Sequence, residues 1–291
     1  ETLENTRRAP TGHLVGRVTR TTRARVMHEC ASHSWLVILG TGRSGSTTIL
    51  SMLNAVPQIQ ISGENYGMMN PLAYVLTRHQ APLSKLKHLN FKGYSGSSRS
   101  PWYGVNGEEV RDALCSVVLR LAPHDKTKHR PLIRGFKEVR WERSVLGAVA
   151  LLPGVRFVVS YRRDTSGQAA SGWHSWNGTA RAAAGWASPN QGIDEATRAM
   201  LEAVNATGRP TFHLPLEDFS TAAFNQLLRW VGVTNCSFRG VVHEHSGGGY
   251  SADAADPRSL IEQRSCHVAR ARRGAHGAVV QRRGTGLRER A

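Results

Sequence analysis

Between residues 34 and 256, short apolar runs alternate with longer stretches in which apolar side chains recur every three to four positions. Short, near-continuous apolar runs are what strands buried on both faces of a parallel sheet require. They predict strands over 35–39, 58–62, 132–139, 155–161 and 211–216. The helical period predicts helices over 46–55, 109–121, 142–151, 164–173, 193–205 and 221–231. Strands that alternate with helices are joined by crossovers, so the fold expected is α/β, a three-layer domain with about five parallel strands. Residues 80–107 and 176–192 break the pattern and predict long loops over the surface. The chain holds no internal repeat.

The first strand runs straight into the segment GTGRSGSTT, residues 40–48, and a helix opens directly after it. Glycines there let the backbone curl until successive N–H groups converge, and the helix start adds partial positive charge, which together make a seat for phosphate or sulfate. Nucleoside triphosphate loops read G-x-x-x-x-G-K-[ST]. Matching Gly40 and Gly45 to those glycines puts Ser46 where the lysine belongs, and the one cation of the loop is Arg43. The later strand VRFVVSYRRD ends in two arginines, where a metal-binding aspartate would close a triphosphate site. A triphosphate with its metal is poorly served; a 5′-phosphate group that needs only cations and amides is served well.

The segment GRSGSTT resembles the 5′-phosphosulfate loop of the superfamily of sulfotransferases that use 3′-phosphoadenosine 5′-phosphosulfate (PAPS), with Gly42 at the position usually held by proline. The resemblance implies a P-loop-NTPase-like fold. It also implies that Arg43 holds the phosphosulfate while Ser44, Gly45, Ser46, Thr47 and Thr48 supply backbone and hydroxyl hydrogen bonds. The family's second nucleotide motif is an arginine, seven residues and a serine after a later strand; Arg163 and Ser171 are similar to it in spacing and place. An arginine fork with a hydroxyl suits a terminal 3′-phosphate, and Arg162 is a candidate helper. LPLEDFSTAAFNQLLRWVGV resembles a late strand, turn and helix of these enzymes, with Glu217 and Asp218 bracing the turn. HSGGGY resembles a glycine-rich closing segment, making Gly247–Gly249 a weaker candidate for nucleotide contact. The resemblance covers residues 34–250 and leaves the tails outside it.

Sulfuryl transfer needs a base for the acceptor's proton and a cation for the departing oxygen. No segment similar to the histidine motif of the cytosolic members occurs. Members of the Golgi type use a glutamate after the second strand, and Glu64 in IQISGENYG stands there. Lys137 in LIRGFKEVRW is the candidate for stabilising the leaving oxygen, and Glu138 is the reserve base. Arg140 is a candidate for the acceptor, or a solvated arginine. His174, Trp102, Tyr103, Trp173 and Trp176 are candidates for contact with adenine or acceptor, or for plain core packing. PAPS is the co-substrate this implies, and the reaction calls for no metal. The HEH at 243–245 has too few ligands to hold one.

Charge changes this picture little. The net charge is +17, of which residues 1–33 hold +3 (six Arg, three Glu) and residues 257–291 hold +7 (nine Arg, two Glu). Ten of the seventeen charges thus sit in basic tails without steady apolar periodicity, which are expected to be disordered. The remaining +7 suits an anionic small ligand, and no nucleic-acid partner is expected. No apolar run of 18 residues occurs, so no membrane span is expected. Cys30, Cys115, Cys236 and Cys266 lack metal spacing and fit either free thiols or disulfides. Sequons at Asn177, Asn205 and Asn235 favour a secretory lumen over the cytoplasm. The acceptor stays open among carbohydrate, tyrosine and small metabolite. Two other functions fit the same residues: a non-catalytic nucleotide- or polyanion-binding protein, and a P-loop kinase.

Overall fold

A computed structural model describes residues 28–64, 69, 107–121, 131–139, 141, 143–169, 189–242, 256–262 and 266–268. Strand β1 (Ser34–Gly40) leads to α1 (Ser46–Ala55) and β2 (Ile59–Ser62); α2 (Gly107–Leu121), β3 (Ile133–Glu138), α3 (Arg143–Val149) and β4 (Arg156–Ser160) follow. Then come α4 (Ser166–Ala169), α5 (Pro189–Ala206), β5 (Thr211–His213), α6 (Thr221–Trp230) and a small pair, β6 (Val233–Thr234) with β7 (His267–Val268). The five strands β1 to β5 form one sheet in the order β2-β3-β1-β4-β5, and every pairing within it is parallel. The fold is therefore the expected α/β type, a P-loop-like parallel sheet between two layers of helices.

Period-two alternation along the strands builds both faces. Trp35, Val37 and Leu39 of β1 join Phe136, Phe157 and Val159 in a core closed by α2, α3 and α5. Leu36 and Ile38 join Ile133 and Val158 in a second core, closed by Ile49, Met52 and Leu53 of α1 and by Phe224, Leu227 and Leu228 of α6. Chain order sets the place for a ligand. From β1 the chain crosses to β2 on one side, and from β4 it crosses to β5 on the other. Adjacent strands whose connections part in this way leave a crevice at their carboxyl ends, where ligands of open α/β sheets bind. Gly40 to Ser46 and Ser160 to Arg163 are the segments that border it.

Several boundaries differ from expectation. Helix α5 begins at Pro189, inside the stretch 176–192 expected to be loop; proline at the first turn is favourable there because its missing N–H has no helical partner anyway. Strand β5 stops at His213, before the expected 216, because Pro215 cannot donate to a ladder and Leu216–Asp218 forms a 3-10 turn. The folded unit also extends past both expected ends. Cys30 is fully buried and bonded to Cys115 of α2. Past residue 256, Pro257–Leu260 forms a turn, Ile261 pairs with Phe238, and Cys266 is bonded to Cys236. The cysteines are thus two disulfides, Cys30–Cys115 and Cys236–Cys266. Their partners lie 85 and 30 residues apart, and no local sequence signal could pair them. Among the described residues, no helix is long and apolar enough to cross a membrane.

Candidate functional site

The loop after β1 is shaped by three residues. Arg43 takes a left-handed conformation at φ 65°, Gly45 does so at φ 85°, and the N–H of Ser44 reaches the Thr41 carbonyl at 3.2 Å. A non-glycine residue at positive φ is held there by its surroundings, and such backbone gathers at functional sites. Those surroundings are supplied by the end of β4, the turn beyond it and α4. Ser160 Oγ donates to the Ser44 carbonyl at 2.6 Å, and Arg162 Nε donates to the Arg43 carbonyl at 2.9 Å. Gln168, fully buried, donates its amide to Thr41 Oγ1 at 2.8 Å and to the Gly42 carbonyl. These side chains tie back the carbonyls of Gly42, Arg43 and Ser44 and so fix the shape of the loop.

The start of α1 is open to an anion. Its N-cap, Gly45, makes no side-chain cap, and no acidic residue stands in the first turn. The leading N–H groups of a helix lack intrahelical acceptors, and a neutral, uncapped start attracts negative charge. Ser44 beside it is fully buried, and its hydroxyl has no hydrogen-bond partner among the described residues. These features fit a phosphate- or sulfate-bearing ligand.

The lysine that the loop lacks in sequence reaches it in space. Lys137 lies on the odd-numbered face of β3, the one covered by α1, and is only 4% exposed. Its ammonium donates to Glu64 Oε1 at 2.6 Å and to Thr47 Oγ1, in the first turn of α1, at 3.2 Å. Glu64 follows β2 and its side chain is 31% exposed. Residues 73 and 90 positions from Lys137 are thus brought to one ammonium at the carboxyl end of the sheet. Glu138 alternates to the opposite face, where it is buried, so the reserve base is turned away from the loop.

Arg163 stands at the other lip of the crevice. Its guanidinium forks onto Asp218, with Nη1 to Oδ1 at 2.7 Å and Nη2 to Oδ2 at 2.5 Å. Hydrogen bonding to Asp218 raises the Arg163 pKa, and the same bond holds the Asp218 carboxyl below its ordinary value. Hydrogen bonds from Ser166 likewise depress Asp164. The backbone N–H of Arg163 donates to both oxygens of Glu217, at 3.1 and 3.2 Å. Glu217 and Asp218 therefore hold the arginine arm, a closer role than the bracing of their own turn expected of them.

Ser171, Gly247–Gly249, Arg140, His174, Trp102, Tyr103, Trp173, Trp176 and the 243–245 segment lie outside the described residues, as does Asn177. Sequence reasoning missed Gln168, Ser160 and Arg162 as supports of the loop, since each acts across more than 110 residues of chain. One signal was present: a glutamine fully inside an amphipathic pattern needs a polar partner. Neither a model of a known protein family nor a curated protein matches this chain.

Proposed function

We propose that this chain is a sulfotransferase, moving a sulfuryl group from PAPS to a hydroxyl or amine acceptor. The observation that carries this reading is the meeting of Glu64, Lys137 and Thr47 beside the start of α1. It puts a carboxylate and a buried ammonium within 2.6 Å of each other next to an uncapped helix start, which supports the pairing that in-line transfer needs.

In the proposed reaction, Gly42–Thr48 and Arg43 bind the 5′-phosphosulfate, and Arg163 with Ser171 takes the 3′-phosphate. Glu64 removes the proton from the acceptor as its oxygen or nitrogen bonds to sulfur. The bond from sulfur to the bridging phosphate oxygen breaks in the same displacement, and its electron pair leaves on that oxygen. Lys137 meets this charge: an ammonium has three N–H donors, two are spent on Glu64 and Thr47, and the third serves the leaving oxygen. Two disulfides support folding in an oxidising compartment, as do exposed sequons at Asn205 and Asn235.

Calorimetric titration with adenosine 3′,5′-bisphosphate, beside AMP and Mg-ATP, tests the donor. We expect the bisphosphate to bind far more tightly than AMP, and Arg163→Ala to bring it down to the AMP level. Equal affinity for bisphosphate and AMP, untouched by that substitution, would remove the donor assignment. Tighter binding of Mg-ATP would favour a kinase.

A further inference from the structure

The Arg163 fork that the proposed donor site reserves for a 3′-phosphate is held by a carboxylate within the chain itself. We infer that Asp218 competes with the 3′-phosphate for Arg163 and so limits the affinity for 3′-phosphorylated nucleotides. The inference rests on the sulfotransferase reading.

Three features of the structure carry it. First, the contact is bidentate and uses both terminal nitrogens of Arg163, the geometry in which a guanidinium takes a phosphate. The edge formed by Nη1 and Nη2 cannot hold both anions at once, and a phosphate on any other edge would stand beside the Asp218 charge. Second, both partners are solvent-exposed, with side chains 57% and 45% accessible, so the pair opens at small cost. A phosphate with about two negative charges and three acceptor oxygens can displace a carboxylate there, and a neutral 3′-hydroxyl cannot. Third, the carboxylate is carried on a turn that does not swing clear. Leu216 N–H is bonded to the Tyr161 carbonyl at 2.9 Å, and Phe219 N–H closes onto the Leu216 carbonyl at 3.1 Å. Leu216 and Phe219 also press on the phosphate loop, since a Cβ placed on Gly45 would come within 2.6 and 2.8 Å of them. Glu217 meanwhile pins the backbone N–H of Arg163 and of Asp164. The arginine side chain is what moves, and Asp218 stays within reach to take it back when the nucleotide leaves.

The test is calorimetry of adenosine 3′,5′-bisphosphate and AMP on the full chain with Asp218→Asn and Asp218→Ser, with stopped-flow dissociation of the bisphosphate. Removing an exposed competing charge should tighten bisphosphate binding roughly three- to fivefold. The gain should appear as slower release, with AMP affinity unchanged within about twofold. Weaker bisphosphate binding in both variants would overturn the inference and make Asp218 a positioning residue for Arg163. A parallel gain for AMP would overturn it too, since AMP has no group to compete at the fork. Wild-type protein that binds bisphosphate and AMP alike would instead remove the donor reading beneath it.

Discussion

Lys137 is a buried ammonium with a carboxylate at 2.6 Å and a threonine hydroxyl at 3.2 Å, which together satisfy a charge that would be costly to bury alone. In the proposed reaction the two residues serve different atoms, so their substitutions differ in kinetics. Glu64→Gln keeps the shape and a hydrogen-bonding oxygen but cannot accept the acceptor's proton. It is expected to lower kcat about 10²- to 10⁴-fold in a sulfate-transfer assay while leaving bisphosphate affinity nearly intact. Lys137→Ala should lower kcat by about 10²- to 10³-fold through lost stabilisation of the leaving oxygen, and should weaken the loop as well, because Thr47 loses its partner. Unchanged turnover in Glu64→Gln would eliminate it as the base. Both residues were legible in the sequence as candidates from their places after apolar strands. That they touch each other was not, because 73 residues separate them.

At the scale of the element, β3 decides which residues share the site. Strand alternation sends Lys137 to the α1 face and Glu138 to the other, so a one-residue slip would exchange an ammonium for a carboxylate beside the loop. At Gly135, which pairs with Leu36, β3 and β1 approach closely. A Cβ at Gly135 would lie 1.6 Å from the Leu36 carbonyl oxygen, and backbone cannot yield as a side-chain tip can. Gly135→Ala is expected to cost about 3 kcal/mol or to prevent folding, read as a lower denaturation midpoint or as loss of soluble protein. A midpoint shifted by less than about 1 kcal/mol would mean that the sheet has slack at this pairing. Gly135 stood in the sequence between Arg134 and Phe136 of a predicted strand, and its spacing gave no hint that β1 approaches so near.

Across the whole molecule, two disulfides fasten the outer segments to the sheet. Cys30–Cys115 ties the segment before β1 to α2, and Cys236–Cys266 ties the turn after β6 to the segment before β7. In the chain-entropy picture, closing loops of 85 and 30 residues is worth about 4.6 and about 3.6 kcal/mol. The Cys30→Ser/Cys115→Ser pair should therefore lower Tm more than Cys236→Ser/Cys266→Ser, and reduction of wild type should lower it more than either. Equal melting of reduced and oxidised protein would mean that the bridges do not restrain the unfolded chain.

The fold class was legible in the chain alone, because short apolar runs and helical periods report burial on one or two faces, a local property. The glycine-rich loop was legible for the same reason, since Gly40 to Thr48 form a strand end, a turn and a helix start within nine consecutive residues. What surrounds that loop emerged from the folded arrangement. Lys137 and Glu64 come together there, Gln168, Ser160 and Arg162 hold its carbonyls, and Asp218 occupies the Arg163 fork. Each of these contacts joins residues more than 50 positions apart, and their distances follow from strand order and crossover length, which no local pattern encodes.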